Sequence, residues 1–329
     1  MGRRILAVIL VLLAVGIAST TIMLAYTPFG QQVLGSAGIT LSTATLSPTP
    51  IPITPTPTPT PKPVLTVKGT PPTVQATAAY LLDMGTGNVL VDINGEKPLA
   101  MASTTKIMTA LIAIQTTDLN QIITIQQSDI NHALLNDGSN AGLRANDQLT
   151  LKDLLYALLL PSGDDAATSI ARALGGGSVA NFVLRMNLFA YRLHLFQTHY
   201  SNADGLTLDG DGPHYTTAAD LTRLTRYALS IPLFAQIVKT PTHTIAATSH
   251  NQSYAWSNTN TLLTTYTGMD GVKTGHTFAA GYCLVFAATR NGHNLLGVVL
   301  NSPNEGQRNK DATTLLNWGF ALPVLPPTY

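Results

Sequence analysis

Hydrophobic and polar positions follow three different patterns along this 329-residue chain. The first is an unbroken apolar run. Ile5 to Tyr26 holds 22 residues without a charge, preceded by Arg3 and Arg4. As a helix that length spans a ~30 Å hydrocarbon core, and flanking arginines favour the cytoplasmic side. Gly16-Ile17-Ala18 offers small residues for signal cleavage. Signal peptides, however, usually carry apolar stretches of only ~7–15 residues, and here the apolar positions continue through Met23 and Leu24. Residues 1–26 are therefore expected to be a retained signal-anchor, and in either case the rest of the chain is exported. The second pattern, over 27–73, has no periodicity and holds eleven of the 20 prolines, with Thr-Pro repeated four times from Thr54 to Pro61. Such a segment buries no core and favours extended polyproline II at ~3.1 Å per residue, a reach of roughly 100 Å.

From Val74 to Tyr329 the pattern is that of one folded domain. Ala79 to Leu82 and Val89 to Val91, joined through Asp83 to Asn88, predict a hairpin. Tyr282 to Thr289 and Asn294 to Leu300 predict two strands joined through Asn291-Gly292, a type I′ turn signal. Between these β-rich ends the period becomes helical. Thr150 and Asp153 resemble a capping box before the run Leu154 to Leu160, which Pro161 follows. Phe182, Met186, Phe189 and Leu193 recur at helical spacing, and Thr217 is placed to cap a helix carrying Leu221, Leu224 and Ala228. Strands from both ends with helices inserted between them imply an α/β fold: a sheet flanked by helices and bearing a mainly helical subdomain.

Composition narrows the chemistry. Only 11% of residues are charged, and the net charge of +1 provides no field for nucleic-acid binding. The single cysteine, Cys283, excludes intrachain disulfides and cysteine-built metal sites. It lies in an apolar strand and reads as a small buried hydrophobe. The eight histidines form no His-Glu-x-x-His motif, and His199 and His214 read as hydrogen-bonding core or loop residues. No metal or cofactor is expected.

Three short motifs remain. Ser103-Thr104-Thr105-Lys106 opens the apolar helical stretch Ile107 to Ile114. Residues three apart share a helix face, so the Lys106 amine can reach the Ser103 hydroxyl and act as its base. Ser162-Gly163-Asp164 follows the helix ended by Pro161 and, taken alone, also fits an ordinary turn. Gly271-Val272-Lys273-Thr274-Gly275-His276-Thr277 precedes the C-terminal strand pair. On a strand edge, Lys273 and Thr274 could hold an anionic substrate while Gly275 lets its backbone approach.

Taken together and in this order, the motifs are those of serine acyl-transferases that recognise penicillin. From about Ala76 to Phe320 the chain resembles the low-molecular-mass penicillin-binding proteins of the D-alanyl-D-alanine carboxypeptidase type. Asn202-Ala203-Asp204-Gly205-Leu206, Trp256-Ser257-Asn258-Thr259-Asn260 and Ala280-Gly281-Tyr282 add to the likeness. The resemblance implies a β-lactamase/transpeptidase-like fold with an antiparallel sheet. It makes Ser103 the nucleophile, Lys106 its base and Ser162 a proton relay toward the leaving amine. Asp164, Lys273, Thr274, Gly275, His276 and Thr277 would form the substrate-binding set, with Lys273, Thr274 and Thr277 on the terminal carboxylate. The backbone N–H groups of Ser103 and His276 would form the oxyanion hole. The implied partners are peptidoglycan stem peptides ending in D-Ala-D-Ala, β-lactam inhibitors and the membrane through the N-terminal helix.

Two departures stand out. The family usually has asparagine where this chain has Asp164, and a carboxylate beside Lys106 favours its charged form unless Asp164 is protonated or turned away. The extra β-domain and C-terminal anchor of some relatives are not expected here. Two alternatives stay open: a catalytically weak penicillin- or wall-binding sensor, and a class A-like β-lactamase. The second is disfavoured because the only glutamates, Glu96 and Glu305, lie outside the interval between the second and third motifs.

Overall fold

The computed structural model describes residue 32, residues 64–208, residue 210 and residues 212–326. The expected signal-anchor lies outside the described residues, among which no helix is long and apolar enough to cross a membrane. One boundary moves. The linker was expected to reach Thr73, but β1 (Val64–Leu65) pairs antiparallel with β11 (Val324–Leu325), and Thr66 N–H donates to Pro323 O. A strand pair thus lies within the last ten residues of that expected linker, where the apolar Val64 and Leu65 find a partner strand.

In chain order, β2 (Ala78–Asp83) and β3 (Val89–Ile93) form the first hairpin, followed by a tight 3-10 turn at Ala102–Thr105 and α1 (Lys106–Thr116). Next come β4 (Ile122–Thr124), α2 (Gln127–Leu135), β5 (Gln148–Thr150), α3 (Leu151–Leu159), α4 (Asp164–Leu174) and α5 (Val179–Arg192). The helical insert ends with α6 (Ala218–Leu229) and α7 (Pro232–Lys239), then β6 (Thr242–Ile245), β7 (Tyr254–Ser257) and α8 (Leu262–Thr265). The chain returns to the sheet through β8 (Met269–Thr277), β9 (Gly281–Arg290) and β10 (His293–Ser302), and closes with α9 (Glu305–Phe320).

The capping residues stop and start these helices as their chemistry dictates. The hydroxyls of Thr150 and Thr217 accept the Asp153 and Asp220 N–H groups, satisfying donors that the helix leaves open. At the β9–β10 turn, Asn291 and Gly292 both take positive φ, the left-handed pair that an Asn-Gly turn requires.

The main sheet runs β3-β2-β10-β9-β8 and is antiparallel throughout, so strands from both ends of the chain meet at its centre and β8 lies at an edge. Both faces are buried. Cys283, Val285 and Ala287 face the large core shared with the helical insert, while Leu284, Phe286 and Ala288 face the smaller core under α9. That explains why β9 and β10 read as continuous apolar runs rather than alternating ones. Gly297 has no side chain because an added Cβ would stand 2.3 Å from the Phe286 ring. Cys283 is fully buried, and burial pushes its thiol up to about 11, consistent with a packing role.

Candidate active site

Three segments far apart in sequence converge where the helical insert meets the edge strand β8. The nucleophile segment is held as a strained tight turn. Ala102, immediately before Ser103, has φ 47°, a left-handed conformation that costs a non-glycine residue about 1–3 kcal/mol and persists only when its surroundings enforce it. Two buried threonines do so. The Thr104 hydroxyl donates to Met101 O at 2.6 Å, and the Thr105 hydroxyl donates to Ala102 O at 2.7 Å. His214 supports the same turn: it accepts the Ser201 N–H on Nδ1 at 3.0 Å, which leaves Nε2 to donate to Thr105 Oγ1 at 2.7 Å. The expected hydrogen-bonding role of His214 is met, and its partner is the nucleophile turn.

Ser103 thus stands in the 3-10 turn and Lys106 at the first position of α1, on a shared face. Lys106 is completely buried, and Nζ lies 2.8 Å from Ser103 Oγ, 2.8 Å from Asp204 O and 2.5 Å from Asp164 Oδ1. Those three neighbours match the three hydrogens of an ammonium.

The second segment links α3 to α4. Ser162 is buried and adopts φ 68°, so a second left-handed non-glycine residue sits at the site. Gly163 is required by space, since a Cβ there would meet Ala141 Cβ at 2.7 Å and Ala157 O at 2.9 Å. Asp164 opens α4 with its carboxylate directed at Lys106, which settles the orientation that the sequence left open. It is 1% exposed and engaged with the lysine, so its place is beside the base rather than on an open substrate-binding surface. Burial pushes its carboxyl above the ordinary value, against the opposing pull of Lys106. Its second oxygen, Oδ2, has no hydrogen-bond partner and is covered by the backbone at Gly138, where a Cβ would come within 2.4 Å.

The third segment is β8. Lys273 is 1% exposed and donates one hydrogen bond, to Thr274 O at 3.0 Å. Burial, reinforced by the charge of Lys106, holds its ammonium well below lysine's ordinary range. Thr274 Oγ1 lies 2.6 Å from Thr259 Oγ1, and Thr277 Oγ1 accepts the Ala280 N–H at 3.0 Å. His276 is exposed and lies tilted by 31° against Tyr282, with ring centroids 4.0 Å apart. The expectation for Gly275 needs correction. A Cβ there would meet Ser103 N at 3.1 Å, Ala102 Cβ at 3.1 Å and Met101 O at 3.2 Å. The glycine therefore admits the nucleophile turn against β8, and the space above it belongs to that turn rather than to substrate.

Several site residues were not found by sequence reasoning. Asp204 carried no role of its own within the 202–206 likeness; its Oδ1 accepts the Leu206 N–H at 2.7 Å. It also offers its carbonyl to Lys106, while Oδ2 lies 2.8 Å from His132 Nε2. Burial opposes ionisation of Asp204, but the His132 hydrogen bond and the charge of Lys106 outweigh it and hold the carboxyl below its ordinary value. Gly205, at φ 95°, lets this turn close on Ala102, whose carbonyl oxygen would lie 1.9 Å from an added Cβ. Arg308, 4% exposed on α9, adds a second positive charge felt at Lys273. None of these forms a short motif with Ser103; each comes from a distant part of the chain.

In sequence and overall fold the chain is similar to known proteins. A family model described as D-alanyl-D-alanine carboxypeptidase matches residues 66–304. A D-alanyl-D-alanine carboxypeptidase of Streptomyces sp. strain K15 is 39% identical over 264 residues, covering 77% of this chain and 90% of the relative. A D-alanyl-D-alanine carboxypeptidase of Mycobacterium tuberculosis is 34% identical over 254 residues, covering 76% of this chain and 84% of the relative. The crystal structure of the Streptomyces K15 DD-transpeptidase is similar with a TM-score of 0.73 at 39% identity, covering 77% of this chain and 100% of that one.

Proposed function

The chain belongs to the D-alanyl-D-alanine carboxypeptidase family, and from that premise we propose the part that each active-site residue plays. The enzyme is a serine carboxypeptidase that removes the terminal D-alanine of peptidoglycan stem peptides through an acyl-enzyme, and it is a penicillin-binding protein.

Ser103 Oγ attacks the carbonyl of the penultimate D-alanine as its proton passes to Lys106. The observation that carries this reading is the buried 2.8 Å contact between Lys106 Nζ and Ser103 Oγ, beside the lysine-bearing edge strand. A general base must lie within hydrogen-bond reach of the proton it takes, and Lys106 does. Lys273, with Thr274, Thr277 and the added charge of Arg308, binds the terminal carboxylate, which explains selection for a free C-terminus. The N–H groups of Ser103 and His276 stabilise the oxyanion, a contribution of about 2.7–4 kcal/mol per donor in enzymes of this kind. Ser162 relays a proton to the leaving D-alanine nitrogen. Water then releases the acyl group, and a β-lactam acylates the same serine.

Residues 5–26 anchor the enzyme to the cell membrane, and the proline-rich linker sets the reach of the catalytic domain outside the cytoplasm. This reading is supported by the charge-free length and the Arg3-Arg4 flank. Two assays test these assignments. Incubation with a tripeptide ending in D-Ala-D-Ala should release free D-alanine, and Ser103→Ala should abolish release. Labelled penicillin bound without D-alanine release would favour a sensor. In cell fractionation the full chain should sediment with membranes and a variant lacking residues 1–26 should not; equal sedimentation would exclude the anchor.

A further inference from the structure

We propose that Asp164 is the terminal proton acceptor of the acylation step, reached through Lys106. The inference rests on the assignment of Ser103 as nucleophile. The hydrogen bond of the Asp164 side chain goes to Lys106, so Asp164 acts through the lysine.

The geometry is that of a relay. Lys106 Nζ lies between Ser103 Oγ at 2.8 Å and Asp164 Oδ1 at 2.5 Å, and both the lysine and the aspartate are sealed from solvent. With the buried pair in its ionised form, Lys106 has no lone pair for the serine proton, because each of its three hydrogens already faces an oxygen. It accepts that proton only by passing one on. Of its other two neighbours, Asp204 O is a peptide carbonyl with no useful basicity, so Asp164 is the acceptor within reach.

The step balances. The Ser103 O–H bond breaks and an N–H bond forms on Lys106. One existing N–H bond of Lys106 breaks and an O–H bond forms on Asp164 Oδ1. The Ser103 oxygen bonds to the substrate carbonyl carbon, whose π electrons move to the oxyanion. Before the step the charges are one ammonium and one carboxylate; after it they are one ammonium and one oxyanion. Lys106 therefore remains cationic beside the reacting centre, where its charge favours the oxyanion. When the D-alanine amine leaves, Asp164 returns its proton to Lys106, and the proton that the nitrogen gains is delivered through Ser162, because Ser103 Oγ is by then an ester oxygen. An asparagine at position 164 could accept an N–H hydrogen bond but could not hold this proton.

The charged groups around Asp164 suit a carboxyl that gains and loses a proton. Lys106 supplies positive charge from α1, and Lys273 faces the pair from β8 with an amine whose charged form burial and Lys106 disfavour. Asp204 supplies negative charge from its turn, offset by His132 on α2. Asp165, its neighbour on α4, is occupied with the N–H groups of Ala141, Leu143 and Ala166. Asp129 of α2 is committed to Arg172 of α4. The partnerless Oδ2 gives the ionised carboxylate less support than a fully hydrogen-bonded one would have, which favours proton uptake on demand.

The test is the pH profile of Ser103 acylation by labelled penicillin, measured as a second-order rate constant for wild type and Asp164→Asn. A relay ending on a carboxyl loses activity only when that carboxyl is already protonated, so the acid limb of the wild type falls in the carboxyl range, displaced upward from an ordinary aspartate's by burial. In Asp164→Asn the limb moves at least one pH unit toward the amine range. The variant is then at least tenfold slower near pH 6 and approaches wild type at alkaline pH, a recovery that also shows it is folded. An unmoved limb, or a variant faster than wild type near neutrality, overturns the relay; the faster variant would make Asp164 a brake that merely holds the lysine charged. A second measurement needs no variant. Acylation by the wild type in mixed H2O and D2O should depend on deuterium fraction along a curve, because two protons move together, and a straight line overturns the proposal. Failure of the underlying assignment looks different: wild type itself would then show no acylation that depends on Ser103.

Discussion

Substrate binding should draw a proton onto Lys273. The amine is fully buried, has one hydrogen bond, and is held well below lysine's ordinary range by burial and by the charge of Lys106. A bound carboxylate supplies the missing counter-charge. At ~4 Å and an effective dielectric of ~20 the attraction is about 4 kcal/mol, which draws the amine's pKa back up toward lysine's ordinary range. The sign follows directly. Below the free-site pKa the amine is charged with or without ligand, and above the bound-state pKa it is neutral in both, so affinity is flat at each extreme. Between the two, binding takes up a proton and affinity falls about tenfold for each unit that pH rises. The assay is calorimetric titration of Ser103→Ala, which binds without turning over, with a tripeptide ending in D-Ala-D-Ala. It should be run from pH 6 to 10 in paired buffers of different ionisation enthalpy. The observed heat should differ between buffers by the amount set by proton uptake approaching one per site, and Lys273→Gln should remove that difference. A Kd independent of pH across the whole range, or proton release on binding, would refute the reasoning.

Two further outcomes test how the site is held. Gly205→Ala forces a side chain into a left-handed position 1.9 Å from Ala102 O; it should cost at least ~2 kcal/mol, lower Tm by several degrees and slow penicillin acylation at least tenfold. Unchanged melting and acylation would mean that the 202–206 turn does not support the nucleophile. Trp256→Phe removes the 2.8 Å Nε1 bond to Ala141 O and strands a buried acceptor, so the urea midpoint should fall by the equivalent of about 1–3 kcal/mol at constant slope. A midpoint unchanged within error would mean that water or a neighbouring donor replaces the indole.

How much of this was legible in the chain depends on sequence distance. Ser103 and Lys106 are three residues apart, so helical geometry alone pairs them, and the structure keeps that pairing although Ser103 sits in a 3-10 turn rather than within the α-helix. The caps at Thr150 and Thr217 and the Asn291-Gly292 turn are equally local, and each forms as its residues imply. Gly275 shows the limit. Its need for space was readable, but the occupant of that space was not, because the nucleophile turn arrives from more than 170 residues away. The parts played by Asp204, His132 and Arg308 were hidden for the same reason: only the folded chain brings Asp204 to Lys106, His132 to Asp204, and the charge of Arg308 to bear on Lys273. Asp164 was visible as a departure from the family pattern, yet its consequence hung on one side-chain orientation that no spacing rule fixes.

Mass spectrometry of the enzyme after reaction with benzylpenicillin is the most direct check on a Ser103 acyl-enzyme. The intact chain should gain the mass of one whole β-lactam, and proteolysis should place that mass on the peptide containing Ser103. Ser103→Ala should gain nothing. Addition at another residue, or an unmodified wild-type chain under saturating antibiotic, would contradict the mechanism.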